Sequence, residues 1–149
     1  MPIKAGTANF HELVVEVEWT PESGTFAKVC GITSRGINRS HNMQTSEVPF
    51  CDDESLPAAV ERAVQSSEVT ISGAGVWASQ SHENMLDWWY SGATRLIRVH
   101  HVNAASGDTE YETGPAYLQS ISNQAERGTK VTAELAIEFD GIPTRTAKP

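Results

Sequence analysis

Ser67-Glu68-Val69-Thr70-Ile71-Ser72-Gly73-Ala74-Gly75-Val76-Trp77, followed by Ser79-Gln80-Ser81-His82-Glu83-Asn84-Met85-Leu86-Asp87-Trp88-Trp89-Tyr90, decides the fold. Val69, Ile71 and Trp77 recur at period two, while Glu68, Thr70, Ser72 and Ala74 occupy the opposite side, so the first stretch reads as a strand with one wet face. The second reads as a helix over residues 80–90. Ser79 or Ser81 can cap its first turn, Glu83 favours its positive end, and Gly92 lies just beyond it. Met85, Trp88 and Trp89 fall at i, i+3 and i+4. The expected helix–sheet core is therefore Val69, Ile71 and Trp77 beneath Met85, Trp88 and Trp89.

Outward from this segment the chain alternates. Residues 12–19 place Leu13, Val15, Val17 and Trp19 opposite Glu12, Val14, Glu16 and Glu18, which predicts a strand with one wet face. Thr20-Pro21-Glu22-Ser23-Gly24 supplies turn chemistry, and residues 26–30 return as the second arm of a hairpin. Residues 31–39 continue extended. Residues 40–57 lose the pattern and read as a long polar loop carrying His41, Asn42, Met43, Gln44, Val48, Phe50, Asp52 and Asp53; a loop of that length is usually functional or disordered. Residues 58–65 lean to strand. Residues 94–103, 109–122 and 129–139 read as three more strands, the last with Ala133, Leu135 and Ile137 inward and Glu134, Ala136 and Glu138 outward. Residues 144–149 read as a short tail, mobile on its own. Gly73 and Gly75 lie inside a strand, where they mark a bend or the close approach of another backbone. The sum is an antiparallel β-sandwich or barrel with one flanking helix, in a single domain spanning residues 1–149.

The formal charge of −8 opposes a protein that grips nucleic acid by its phosphates, but not one that must let it pass. The start of the chain reads as lacking a signal peptide, and no apolar run approaches membrane-spanning length. Cys30 and Cys51 have no metal-ligand spacing and read as reduced thiols.

A search for chemistry finds no metal, phosphate-loop or nucleophile-elbow motif. His100 and His101 are adjacent on a strand and so point to opposite faces, which keeps them from ligating one metal without a bulge. The run Asp52-Asp53-Glu54 reads as a solvated loop, since consecutive carboxylates do not converge. No cofactor is expected and the chain does not read as an enzyme. Two other readings stay open on the residues alone: a ligand-binding sandwich using Trp77, Trp88 and Trp89, and a metal-dependent hydrolase around His100 and Asp52.

The acids are distributed on strand faces. Glu16 with Glu18, Asp108 with Glu110 and Glu112, and Glu134 with Glu138 recur at period two, and Glu68 lies on the wet side of the opening strand. Taken alone, each reads more readily as an ordinary solvent face. Together they would make one negative surface, and subunits joined through sheet edges would wrap it around a pore.

The order of parts, with Gly31-Ile32-Thr33-Ser34-Arg35-Gly36-Ile37-Asn38-Arg39 before the long polar segment and Val69-Thr70-Ile71-Ser72-Gly73-Ala74-Gly75-Val76-Trp77 after it, resembles the major tail protein, or tail tube protein, of long-tailed bacteriophages and gene transfer agents. The resemblance covers residues 12–139. It implies a structural virion protein of the tail tube, assembled in the cytoplasm of the bacterial host into stacked hexameric rings. One sheet of each subunit would join an inner barrel whose acidic lumen conducts double-stranded DNA without binding it. Candidate lumen residues are Glu16, Glu18, Glu68, Glu110, Glu112, Glu134 and Glu138. Residues 40–57 would contact the adjacent ring, and the arm at residues 1–11 and the tail at 144–149 would order on stacking. Implied partners are further copies of the chain and the tape measure, terminator and distal tail proteins, with no membrane. A tail terminator or a secretion-system tube component sharing the fold is the alternative.

Overall fold

The computed structural model describes residues 2–149; Met1, where the expected N-terminal arm begins, lies outside them. The described residues form a 3-10 turn at Phe10–Glu12, eight strands and one α-helix: β1 (Leu13–Val17), β2 (Ala27–Lys28), β3 (Ile32–Val48), β4 (Ala59–Val76), α1 (Ser79–Ser91), β5 (Arg95–His101), β6 (Thr109–Gln124), β7 (Thr132–Phe139) and β8 (Thr144–Ala147). The hydrogen-bonded order is β2-β1-β5-β6-β7-β4-β3, with β8 added to β6. Every pairing is antiparallel.

The path folds on itself because β6 serves two halves. Its first part pairs with β5 and β8, and its second part, from Ala116 onward, pairs with β7. β6 runs without a break through Gly114-Pro115 and shifts register against β7 between Leu118 and Ser120; a Cβ on Gly114 would sit 3.2 Å from Pro143 Cα, so glycine eases the close approach of the β7–β8 connection. One core lies between the halves: Val15 and Val17 of β1, Ile97 and Val99 of β5, Leu118 of β6, Leu135 and Ile137 of β7 and Ile71 of β4. The second close approach is at Gly75, where a Cβ would fall 2.1 Å from the Gly31 carbonyl oxygen, which accepts a hydrogen bond from the Val76 N–H at 3.0 Å.

The helix closes one end of this core. It begins at Ser79 after Ala78, which offers no side-chain cap, so neither Ser79 nor Ser81 has the expected capping role. Ser81 instead turns inward toward the Cys30 carbonyl. Gly92 ends the helix in the left-handed region at φ 66°. Met85 and Trp88 are buried in one cluster with Ile71, and Trp77 packs against it; Val69 is buried too but lies outside that cluster. Trp88 meets Trp19 edge to face at 6.2 Å and donates its indole N–H to the Ala93 carbonyl at 3.0 Å. Trp89 departs from the expected core. It is 45% exposed and stands edge to face with Tyr90, because one residue of helix rotates it about 100° away from Trp88.

Three further expectations are corrected. Residues 40–57 are not a loop throughout. β3 continues to Val48 and pairs residue by residue with β4, from Ser40 opposite Glu68 to Val48 opposite Ala59. Residues 144–147 are not a loose tail but the strand β8, paired with β6. In β1 both faces are covered, since Val14, Glu16 and Glu18 are buried as well as Val15 and Val17.

Candidate functional site: an acidic sheet face and a protruding arm

Two surfaces stand out. The first is the outward face of the half formed by β3, β4, β7 and the second part of β6. Register fixes its composition, because directly paired residues share a face. Thr70 lies between Asn38 and Glu138; Ser72 lies between Gly36 and Ala136; Ala74 lies between Ser34 and Glu134. On the far side, Tyr117 pairs with Glu138, Ser120 with Ala136 and Ser122 with Glu134. Glu68 sits opposite Ser40, whose hydroxyl donates to it at 3.3 Å. Glu134 and Glu138 are exposed. None of these paired outward positions carries Lys, Arg or His. The face thus presents small neutral side chains and unneutralised carboxylates, which repel a polyanion and offer it no donors of positive charge.

The other four predicted acids lie on the opposite half, where each has partners. Glu16 accepts hydrogen bonds from Arg98 at 2.9 Å and His100 at 3.1 Å. The Arg98 guanidinium is held between the rings of Phe26 and Tyr111, each 4.3 Å away. Glu110 lies 3.9 Å from His100. Glu18 accepts the backbone N–H groups of Glu22 and Gly24 at 3.0 and 3.1 Å, closing the turn after β1. Glu112 accepts from Arg39 and from His101 at 3.0 Å. Burial pushes the Glu112 carboxyl up, but the Arg39 and His101 bonds and charges outweigh it and hold its pKa below the ordinary value. His100 and His101 therefore serve separate carboxylates on the two faces of β5. Period-two counting groups the seven acids together; only strand order separates the three unpaired ones from the four paired ones.

The second surface is the arm. Beyond Arg39, β3 and β4 leave the body as a two-stranded ribbon with a bulge between Asn42 and Met43, closed by the turn at residues 49–58. Nine residues of strand, 40–48, reach about 30 Å. His41 touches Ser67 through Nδ1 at 2.6 Å, a cross-strand contact within the ribbon. Gln44 pairs opposite Ala63 and Met43 opposite Val64. Met43, Val48, Phe50, Leu56, Val60 and Val64 are all exposed large apolar residues. At the tip, Asp53 accepts the backbone N–H of Ser55 at 3.0 Å as well as its hydroxyl, and these bonds hold its pKa below the ordinary value. Asp52 precedes it, and the described residues contain no cluster of three or more metal-ligating side chains there or elsewhere. Large apolar side chains exposed along a mostly polar ribbon that stands clear of its own body are the mark of a surface for another chain. Sequence reasoning read residues 58–65 as strand but missed residues 40–48 as one, although it singled out Met43, Val48 and Phe50.

No curated protein matches the chain. Among solved structures, the fold is similar to a chain in the tail of an empty gene transfer agent particle refined with C6 helical symmetry, with a TM-score of 0.75 and 21% identity over 95% of this chain and 100% of that one. It is similar to a chain of the native gene transfer agent virion, with a TM-score of 0.70 and 19% identity over 95% and 100%. The SPP1 tail tube, solved by solid-state NMR and electron cryomicroscopy, matches with a TM-score of 0.69 and 9% identity over 95% and 80%. The model of the phage tail tube protein family matches residues 7–145, nearly the whole chain. On that match the chain belongs to the phage tail tube protein family.

Proposed function

We propose that this tail tube subunit forms six-membered rings that stack into the tube of a phage or gene-transfer-agent particle, with the cation-free face of β3, β4, β7 and β6 lining the channel. The observation that carries the reading is the combination of that face with two open edges. β3 pairs only with β4, and β6 beyond Ala116 pairs only with β7, among the described residues. The four strands alternate in direction, so β6 of a rotated copy meets β3 antiparallel and the ladder continues without a break. Such closure removes the exposed edges that a lone sandwich leaves. The C6 symmetry of the similar gene transfer agent tail supports six copies.

In this reading Glu68, Glu134 and Glu138 face DNA in transit. Glu16, Glu18, Glu110 and Glu112 hold the subunit together. The arm at residues 40–67 bridges to the next ring, taking the role that the family resemblance implied for residues 40–57. The role is structural, not enzymatic. The tape measure, terminator and distal tail proteins are its neighbours in the particle, and assembly occurs in the host cytoplasm. Electron microscopy of the purified protein at rising concentration tests it. Rings and tubes of six-fold symmetry are expected; a protein that stays monomeric at every concentration, and a particle that lacks it yet carries a full-length tail, contradict the reading.

A further inference from the structure

We infer that Arg39, Glu112 and His101 form a clamp that fixes the angle of the β3–β4 arm to the body, and that tube growth depends on this angle; the second step rests on the bridging role proposed above. Arg39 is the last body residue of β3 before the arm. Its side chain crosses from one half of the sandwich to the other, where Nε donates to Glu112 Oε1 at 3.1 Å and Nη2 donates to Oε2. His101 Nε2 meets the same Oε2 at 3.0 Å, so both carboxylate oxygens are held. Glu112 is only 7% exposed, which makes it a fixed post and Arg39 the strut.

Among the described residues the other side-chain hydrogen bonds at the arm's root, Ser40 to Glu68 and His41 with Ser67, lie within the ribbon and do not reach the body. Open clefts flank Arg39, one of about 680 Å³ against Leu13, Ile37 and His101, the other of about 470 Å³ against Val69, Ile142 and Arg145. The next inward pair outward along the ribbon, His41 with Ser67, is polar. The bulge between Asn42 and Met43 follows at once, and a bulge is where a ribbon bends. A joint of this kind sets direction through a bidentate, charge-assisted bond rather than through packing. Leverage makes it matter: a ten-degree tilt at the root moves the tip of a 30 Å arm by about 5 Å.

The native cysteines give the test. Cys51 lies in the turn at the arm's end and Cys30 on the body before β3, and both are exposed. Spin labels on the two report the arm angle as a distance distribution, which a change in overall stability does not move. The wild type is expected to give one narrow distribution. Glu112→Gln, and the apolar pair R39M/E112M should the first variant fold poorly, are expected to broaden it while retaining a cooperative melt. The protein concentration needed for tube growth is expected to rise about tenfold. R39K, which keeps the charge but loses the fork, is expected to fall between. Unchanged distributions in the folded variants overturn the clamp; altered distributions with tube growth at the wild-type concentration overturn its role in assembly. A chain with residues 46–61 replaced by Asn-Gly serves as the control. Normal tubes from that chain refute the bridging arm itself, whereas tubes lost there but unchanged in the clamp variants refute only the clamp.

Discussion

At the scale of single residues, the two neighbouring tryptophans of α1 make opposite contributions. Trp88 is buried against Trp19 with its N–H satisfied, so Trp88→Ala is expected to cost about 3–5 kcal/mol. Trp89 is half-exposed and meets only the edge of Tyr90, so Trp89→Ala is expected to cost about 1 kcal/mol, well below the Trp88 value. Urea melts of the two variants check both. Helical spacing placed Met85, Trp88 and Trp89 on one stripe, and spacing alone cannot locate the edge of a stripe. The Ala93 carbonyl and the edge of Trp19 choose Trp88, and neither is visible until the chain has folded. Glu112 gives the residue-scale pH dependence. Its folded pKa lies below the ordinary value, so its contribution is present above that value and lost as pH falls through the folded one. Wild type is expected to lose stability faster than E112Q as pH drops below about 4.5, followed by denaturant melts across pH; parallel curves would remove Glu112 from the account.

At the scale of elements, the arm is the feature with the clearest consequence. Replacing residues 46–61 by Asn-Gly keeps Thr45 opposite Arg62 and supplies a two-residue hairpin turn. The shortened chain is expected to melt at nearly the wild-type temperature, since the removed residues are exposed, yet to form no stacked tube by electron microscopy. Strands with one dry face were legible in the sequence: β7 reads Ala133, Leu135 and Ile137 inward, and those three are buried. The outer part of β3 was not, because a strand wet on both faces has no period-two signal, whereas residues 58–65, which read as strand, are the outer part of β4. Its hydrogen bonds to β4 make the outer part of β3 a strand, not its pattern. β8 escaped for the same reason, being four exposed residues whose only tie is the ladder to β6. The wet face expected of β1 was wrong for the converse reason, since partners from β5 and the β2 turn cover its glutamates.

At the scale of the whole molecule, charge is sorted by half. Arg98 and Arg39 form ion pairs with acids in and around one half, where His100 and His101 hydrogen-bond to the same carboxylates, while the outward face of the other keeps Glu68, Glu134 and Glu138 without a cation among its paired positions. The triple variant E68K/E134K/E138K is expected to assemble, because these side chains make no ion pair within the subunit, but to slow DNA delivery, more strongly at low ionic strength. Delivery kinetics at two salt concentrations check this, and unchanged delivery would place the face elsewhere than the channel. The fold class could be read from the sequence, whereas which of the seven acids share a face could not, because that depends on which strands are neighbours. The central claim is that this face lines a channel closed by β3 of one copy against β6 of the next. An electron cryomicroscopy map of the assembled tube measures it directly. The account predicts an unbroken β-ladder around the axis with Glu68, Glu134 and Glu138 pointing inward; a tube with that face on its outer surface, or with β3 and β6 unpaired between copies, would contradict it.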